Sequence, residues 1–278
     1  MNKRHRIYLL LWCLAFAVLM VSVMRWSYPG RYISNLAEKR IAGSEIMVSE
    51  ASADNYSDSD IKKVIVQKDG VEASYPRLLT GGNPDSLERW NQIIKEDFDK
   101  MLQIYSFQPF PGPTPPSTEV VPMILKITYE VKENTADLLS LFYQADYNSS
   151  YSAHPSNLVY TTNIDRTQNR RLRLGDTVVL SEEFVKNFHG WELVADPEEQ
   201  PEVREAIIDY INHISEEELL AGFQSADQIG SGNPWGIYSY RTKDRLGISI
   251  EVPHYAGDHA EFEQSLSVLE NQGLLQRK

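Results

Sequence analysis

The densest group of residues able to do chemistry in this chain is His254, Asp258, His259, Glu261 and Glu263. Imidazole and carboxylate are donors that zinc accepts, and the same pairing serves general acid–base work. His254 and His259 lie five apart, so a helix would not set them on one face as a His-x-x-x-His spacing does. A loop can converge them, and the fold can bring His154 to the same place. The alternative is a plain turn at Gly257-Asp258, with both histidines bonding backbone groups. A second group, Tyr147, Tyr151, His154, Pro155 and Tyr160, sits in a polar, tyrosine-rich loop at 147–160. Tyrosines at a loop tip give large contact area at low entropic cost, which suits binding. They serve equally by packing on a sheet while His154 satisfies a turn. Asp165 and Asp176 flank a hairpin and read as side-chain caps of turns, with a catalytic pair as the alternative. No serine nucleophile elbow, phosphate loop or cysteine nucleophile occurs, and no cofactor is expected.

The elements that must position these residues are legible from spacing. Around Lys68-Asp69-Gly70 two β-rich runs predict a hairpin. Asn83 before Pro84 reads as an N-cap followed by a first-turn proline. Leu87, Trp90, Ile94, Phe98, Met101 and Tyr105 then recur at three- and four-residue steps, the stripe of a five-turn helix facing a core. The proline-rich stretch 107–117 ends that helix as a stiff connection. Leu125, Ile127, Tyr129 and Val131 alternate with polar residues, so one face of that strand is buried. Strands at 137–147 and 158–164 extend a meander, and Thr167-Gln168-Asn169 turns the chain toward Asp176. Helices are predicted at 182–188, 201–215 and 216–223, then a hairpin around Lys243-Asp244-Arg245. Segment 262–269 fits strand and helix templates equally. The class is α+β: antiparallel sheets packed on amphipathic helices, behind an N-terminal membrane helix.

That membrane helix is the run 7–24, which is apolar and uncharged over its 18 residues. At 1.5 Å per residue it reaches about 27 Å, the thickness of a bilayer core. Lys3, Arg4 and Arg6 precede it, so residues 1–6 are expected in the cytoplasm and the body outside. No small-residue cleavage site closes the run, which favours an uncleaved signal-anchor over a removable signal. A small, acidic stretch within 25–60 lacks apolar periodicity and reads as a flexible stalk. The formal net charge is −12, and leaving out those three cations gives −15 for the body. Such a surface excludes nucleic acid, whose phosphates need a basic footprint, and suits a cationic partner. Cys13 is the only cysteine and lies inside the run, so the body holds no disulfide.

The order of parts resembles a known arrangement. A hairpin ends in Tyr75-Pro76, a helix carries Trp90-Asn91-Gln92-Ile93-Ile94, and a strand carries Ile127-Thr128-Tyr129-Glu130-Val131. Leu139-Ser140-Leu141, Ser152-Ala153-His154-Pro155 and the block from Asn163-Ile164-Asp165 to Leu172-Arg173-Leu174-Gly175-Asp176 follow. The closing segment runs from Val252-Pro253-His254 to Ala260-Glu261. This resembles the paired extracytoplasmic domains of RsiV-type anti-sigma factors and PdaC-type peptidoglycan deacetylases, with Ser152 and Asn169 standing where those families have glycine. The resemblance implies a PdaC-like domain at 61–165, an accompanying domain of unknown function at 166–270 and a tail at 271–278. Six residues before the span are too few for a sigma-binding segment, and nothing follows that resembles a deacetylase domain. The resemblance therefore implies a tethered binding or sensing module facing the bacterial cell wall. Its expected partners are a basic, lysozyme-like muramidase or peptidoglycan. A metal-dependent wall hydrolase using His254 to Glu263 is the alternative.

Overall fold

A computed structural model describes residues 60–68, 70–106, 123–149, 154–194, 201–230 and 236–276. The tail at 1–6, the apolar run 7–24, nearly all of the stalk, the proline-rich stretch 107–117 and Tyr151 lie outside the described residues. Among the described residues no helix is long and apolar enough to cross a membrane.

Strands β1 (Ile61–Lys68) and β2 (Val71–Leu78) pair antiparallel from Lys68↔Val71 to Ile61↔Leu78, the predicted hairpin. Gly70 closes it at φ 84°, a left-handed angle that glycine adopts without steric cost. Helix α1 (Pro84–Ser106) then starts where the cap signal placed it. The Asn83 side chain accepts from the Ser86 amide at 2.9 Å and so satisfies one orphan donor of the first turn. The stripe is buried as expected: Trp90, Ile94, Phe98, Met101 and Tyr105 are each 3% exposed or less. Strands β3 (Met123–Asn134), β4 (Leu138–Ser149), β5 (Ser156–Asp165) and β6 (Arg170–Arg171) complete a sheet in the order β1-β2-β3-β4-β5-β6.

This sheet corrects the antiparallel expectation, because β2 and β3 run parallel, with Val71 opposite Leu125. The chain re-enters the sheet at Met123, beside the end where β2 begins. The next strand must then enter in the same direction, which an antiparallel hairpin cannot achieve. Arg171 fastens the far edge of the sheet to α1. Its guanidinium meets Glu96 at 2.7 Å and Asp97 at 3.1 Å, and Thr162 donates to the buried Asp97 carboxylate at 3.1 Å.

The remaining elements build a second core, although Tyr238 and Tyr240 pack into the first. They are α2 (Leu174–Thr177), α3 (Glu182–Phe188), β7 (Glu192–Leu193), α4 (Pro201–His213), α5 (Glu216–Gln224), β8 (Tyr238–Arg241), β9 (Arg245–Glu251), β10 (His259–Ser265) and α6 (Leu266–Asn271). Among them β7-β10-β9-β8 form an antiparallel sheet. The ambiguous segment 262–269 is both things in turn: strand to Ser265, helix from Leu266. Phe184, Phe188, Phe223 and Phe262 meet within this core, with Phe188 5.0 Å from Phe223 and 5.2 Å from Phe262. Gly247 lies opposite Tyr240 in the β8–β9 ladder, where a Cβ would fall 2.1 Å from the Tyr240 ring. The tyrosine fills the space that glycine leaves, and only glycine fits there.

Strand β8 joins the two sheets. It ends its own sheet, so its outer edge presents unpaired backbone groups, and such edges require cover. Here polar side chains take the place of another strand. The Ser239 amide donates to Asp227 Oδ1 at 2.6 Å, Asn163 Nδ2 donates to the Ser239 carbonyl at 2.7 Å, and the Arg241 amide donates to Ser140 Oγ at 2.9 Å. Asp227 also accepts from Ser239 Oγ, the Leu174 amide and Thr161 Oγ1. Burial pushes its carboxyl up to about 6 against the downward pull of those hydrogen bonds. Beside this seam Tyr238 packs edge-on to Tyr160, and Tyr240 edge-on to Phe142, each at 5.3 Å.

Candidate functional site

The chain after β9 makes a 3-10 turn at His254–Ala256, then reverses through Gly257 at φ 103° and Asp258 at φ 73°. Asp258 holds a left-handed conformation rare for a side-chain-bearing residue, and its own carboxylate helps to lock it there. That carboxylate is buried, meets His254 Nδ1 at 2.9 Å through Oδ1, and accepts the Asn157 amide at 2.8 Å through Oδ2. A Gly257-Asp258 turn is therefore present, as one sequence reading has it. The histidines depart from that reading, because their Nδ1 atoms face carboxylates and not backbone. His259 Nδ1 lies 2.7 Å from Glu261 Oε1, and its Nε2 lies 3.2 Å from Asn157 Oδ1. In β10 the side chain of His259 has a carboxylate two residues away on the same face, which is why it turns there.

His154 does join this group. Its ring lies flat on that of His254, with centroids 3.4 Å apart and planes at 13°. One histidine precedes β5 in the first sheet and the other follows β9 in the second. His154 Nδ1 is 3.2 Å from the carbonyl of Pro155, and both residues are exposed. Tyr255, beside His254, is 70% exposed.

Burial alone would pull the Glu261 carboxyl up. The hydrogen bond and charge of His259, the Ser249 hydroxyl and Lys132 outweigh it, leaving the group below the usual glutamate range. Glu251 behaves oppositely: burial, then the charge of Asp258, raise it. Glu251, Asp258, His259, Ser249 and Leu158 line a shallow concavity of about 10 Å³, room for about one water molecule. Small-molecule pockets occupy about 300–1,000 Å³, so this hollow is small for an organic substrate.

The five candidate metal ligands split into separate partnerships. His254 goes to Asp258, His259 to Glu261, and Glu263 to the Tyr240 hydroxyl at 2.9 Å and Arg245 Nε at 2.9 Å. Among the described residues no three His, Cys, Asp or Glu side chains converge as a metal would require. The two described tyrosines of the 147–160 segment also go elsewhere. Tyr160 is fully buried, its hydroxyl 3.1 Å from that of Tyr105, and Tyr147 packs 5.2 Å from the Tyr105 ring. These two rings belong to the core between α1 and the sheet and present no face to solvent. Asp165 and Asp176 are turn caps: Asp165 accepts from the amides of Thr167 and Gln168, and Asp176 from the amide of Arg173.

Sequence reading missed Asn157, Glu251, Ser249 and Tyr255. Asn157 lies about a hundred residues from its partners, and no local pattern marks it.

No family profile and no curated protein matches the chain. Several solved structures align with it, two bacterial ones among them. One is a DUF3298 family protein from Pseudomonas aeruginosa PAO1, at 11% identity and a TM-score of 0.43, covering 84% of this chain and 95% of that one. The other is a DUF3298 family member from Bacteroides fragilis NCTC 9343, at 12% identity and a TM-score of 0.40, covering 84% and 96%. At these scores neither match assigns an activity.

Proposed function

We propose that this chain is a binding or sensing module tethered to the bacterial membrane by residues 7–24, with its body facing the cell wall. The observation that carries the reading is the exposed ridge where the two sheets meet. His154 and Pro155 come from one sheet, His254 and Tyr255 from the other, and the two histidines stack across the junction. Exposed rings of this kind offer contact area with little side-chain entropy to lose. Beside them the hollow carries Glu251 and Asp258, and the body around it bears a surplus of carboxylates.

The partner is a basic protein, with a lysozyme-like muramidase as the first candidate. An acidic body accelerates encounter with a cationic surface, while specificity comes from the rings at the ridge. The contact surface is thus assigned to His154, Pro155, His254 and Tyr255, since Tyr147 and Tyr160 are engaged in the core.

Calorimetry of the full-length chain in mild detergent, against lysozyme and against cytochrome c as an equally basic control, tests the reading. The expected result is binding to lysozyme that weakens with salt and exceeds binding to the control. Equal affinity for both reduces the effect to nonspecific charge, and no binding to either removes this partner class.

A further inference from the structure

We propose that the stacked His154–His254 pair is an acid-released clasp, fastening the start of β5 to the turn after β9. The inference rests on the geometry of the stack and is independent of which partner the ridge binds. Two imidazole rings lie face to face at 3.4 Å, one from each sheet. Behind them the same junction is held by the Asn157 amide donating to Asp258 and by His259 against Asn157 Oδ1.

The charges around the stack decide how many protons it tolerates. Among the described residues, the 3-10 turn and the reversal after it contribute Tyr255 and Asp258. Strand β9 contributes Glu251, β10 contributes His259 and Glu261, α4 contributes Tyr210, and β5 contributes the neutral Asn157. Asp258 is buried, with one oxygen on His254 and the other on a backbone amide, so it balances a single imidazolium on His254. Glu261 is already matched to His259. Burial and the charge of Asp258 raise Glu251, and among the described residues no ion pair joins it to either ring. His154 Nδ1 meets only the Pro155 carbonyl, a neutral acceptor.

One proton on the pair is therefore compensated and a second is not. Two imidazolium rings stacked at this distance repel. The clasp is closed while the pair holds at most one proton and opens as acid adds the second. Opening releases His154 and loosens the Asn157 amide three residues on. The ridge then changes shape in an acidifying environment while both cores stay intact.

Hydrogen exchange of the full-length chain in mild detergent, read on peptides spanning 154–160 and corrected for intrinsic rate, tests the clasp. If opening takes up one extra proton, protection falls by up to about tenfold per pH unit as the protein is taken from neutral to mildly acidic pH. His154→Phe keeps a ring on His254 but cannot charge, and its protection stays flat over the same range. An equal pH slope in the variant, or a flat profile in the unsubstituted protein, overturns the proposal. Nuclear magnetic resonance of the unsubstituted protein provides a reading independent of the variant's folding. Loss of the ring-to-ring contact signal as the second histidine charges supports the clasp, and its persistence with both rings charged overturns it.

Discussion

Glu261 shows how one residue's surroundings set the sign of a pH effect. Its carboxyl is buried yet lies below the usual range, because His259, Ser249 and Lys132 together outweigh the cost of burial. A carboxylate whose folded value is depressed contributes stability that is fully present above its unfolded value, about 4.3. That contribution is lost as pH falls through the folded value. Glu261→Gln removes the linkage. Chemical denaturation at neutral pH should find the variant less stable by about 1–3 kcal/mol, the cost of spoiling a hydrogen bond to a charged group. The gap should narrow in acid, and a gap that stays constant with pH would show that the charge is not what matters. Asp227 carries the opposite sign. Its raised value gives stability that is greatest below about 3.9 and is lost as pH rises through about 6. The two carboxylates partly offset one another across mildly acidic pH.

Among the elements, α1 organises the first core. Trp90 is buried against the Gly81-Gly82 loop, where a Cβ on Gly82 would lie 2.7 Å from its ring, and Arg166 sits 5.1 Å over the other side. With backbone so close on one side, the site cannot collapse to fill a void. Trp90→Ala should therefore cost about 3–5 kcal/mol, the range for large aromatic truncation in a core. Thermal unfolding reads the effect directly, and an unchanged melting temperature would contradict the packing. The α1 stripe was legible in the sequence because helix periodicity repeats within a few residues. The same is true of the Asn83 cap, the Gly70 turn and the cap roles of Asp165 and Asp176, each made with partners two to four residues away. The direction of β3 was not legible, because it depends on which end of β2 the chain meets about fifty residues later.

For the whole molecule, the expected topology places the described body outside the cell on a membrane anchor. Protease shaving of intact cells should then release a soluble body from the surface fraction, and lysis should be unnecessary. A body that is cut only after lysis would reverse the orientation. Within that body the two cores meet at a polar seam, where side chains of Ser140, Asn163 and Asp227 satisfy the edge of β8. A seam made of hydrogen bonds has direction, so it sets the register of one sheet on the other in a way that apolar packing does not. That register brings His154 to His254.

The sequence by itself determined what depends on near neighbours: the α+β class, most element positions, the acidic balance, the apolar run at 7–24 and the turn at Gly257-Asp258. Only the tertiary structure decided which of two faces a side chain takes and which distant residue it meets. Tyr147 and Tyr160 fit a contact loop or a core equally by type, and strand alternation against α1 sent both inward. His254, His259 and Glu263 stand close in the chain, yet the reversal at Asp258 and the pleat of β10 gave each a different partner. His154 and His254 are a hundred residues apart and stack, because two sheets from opposite halves of the chain share one seam. Spacing along a chain carries no information about contacts of that range.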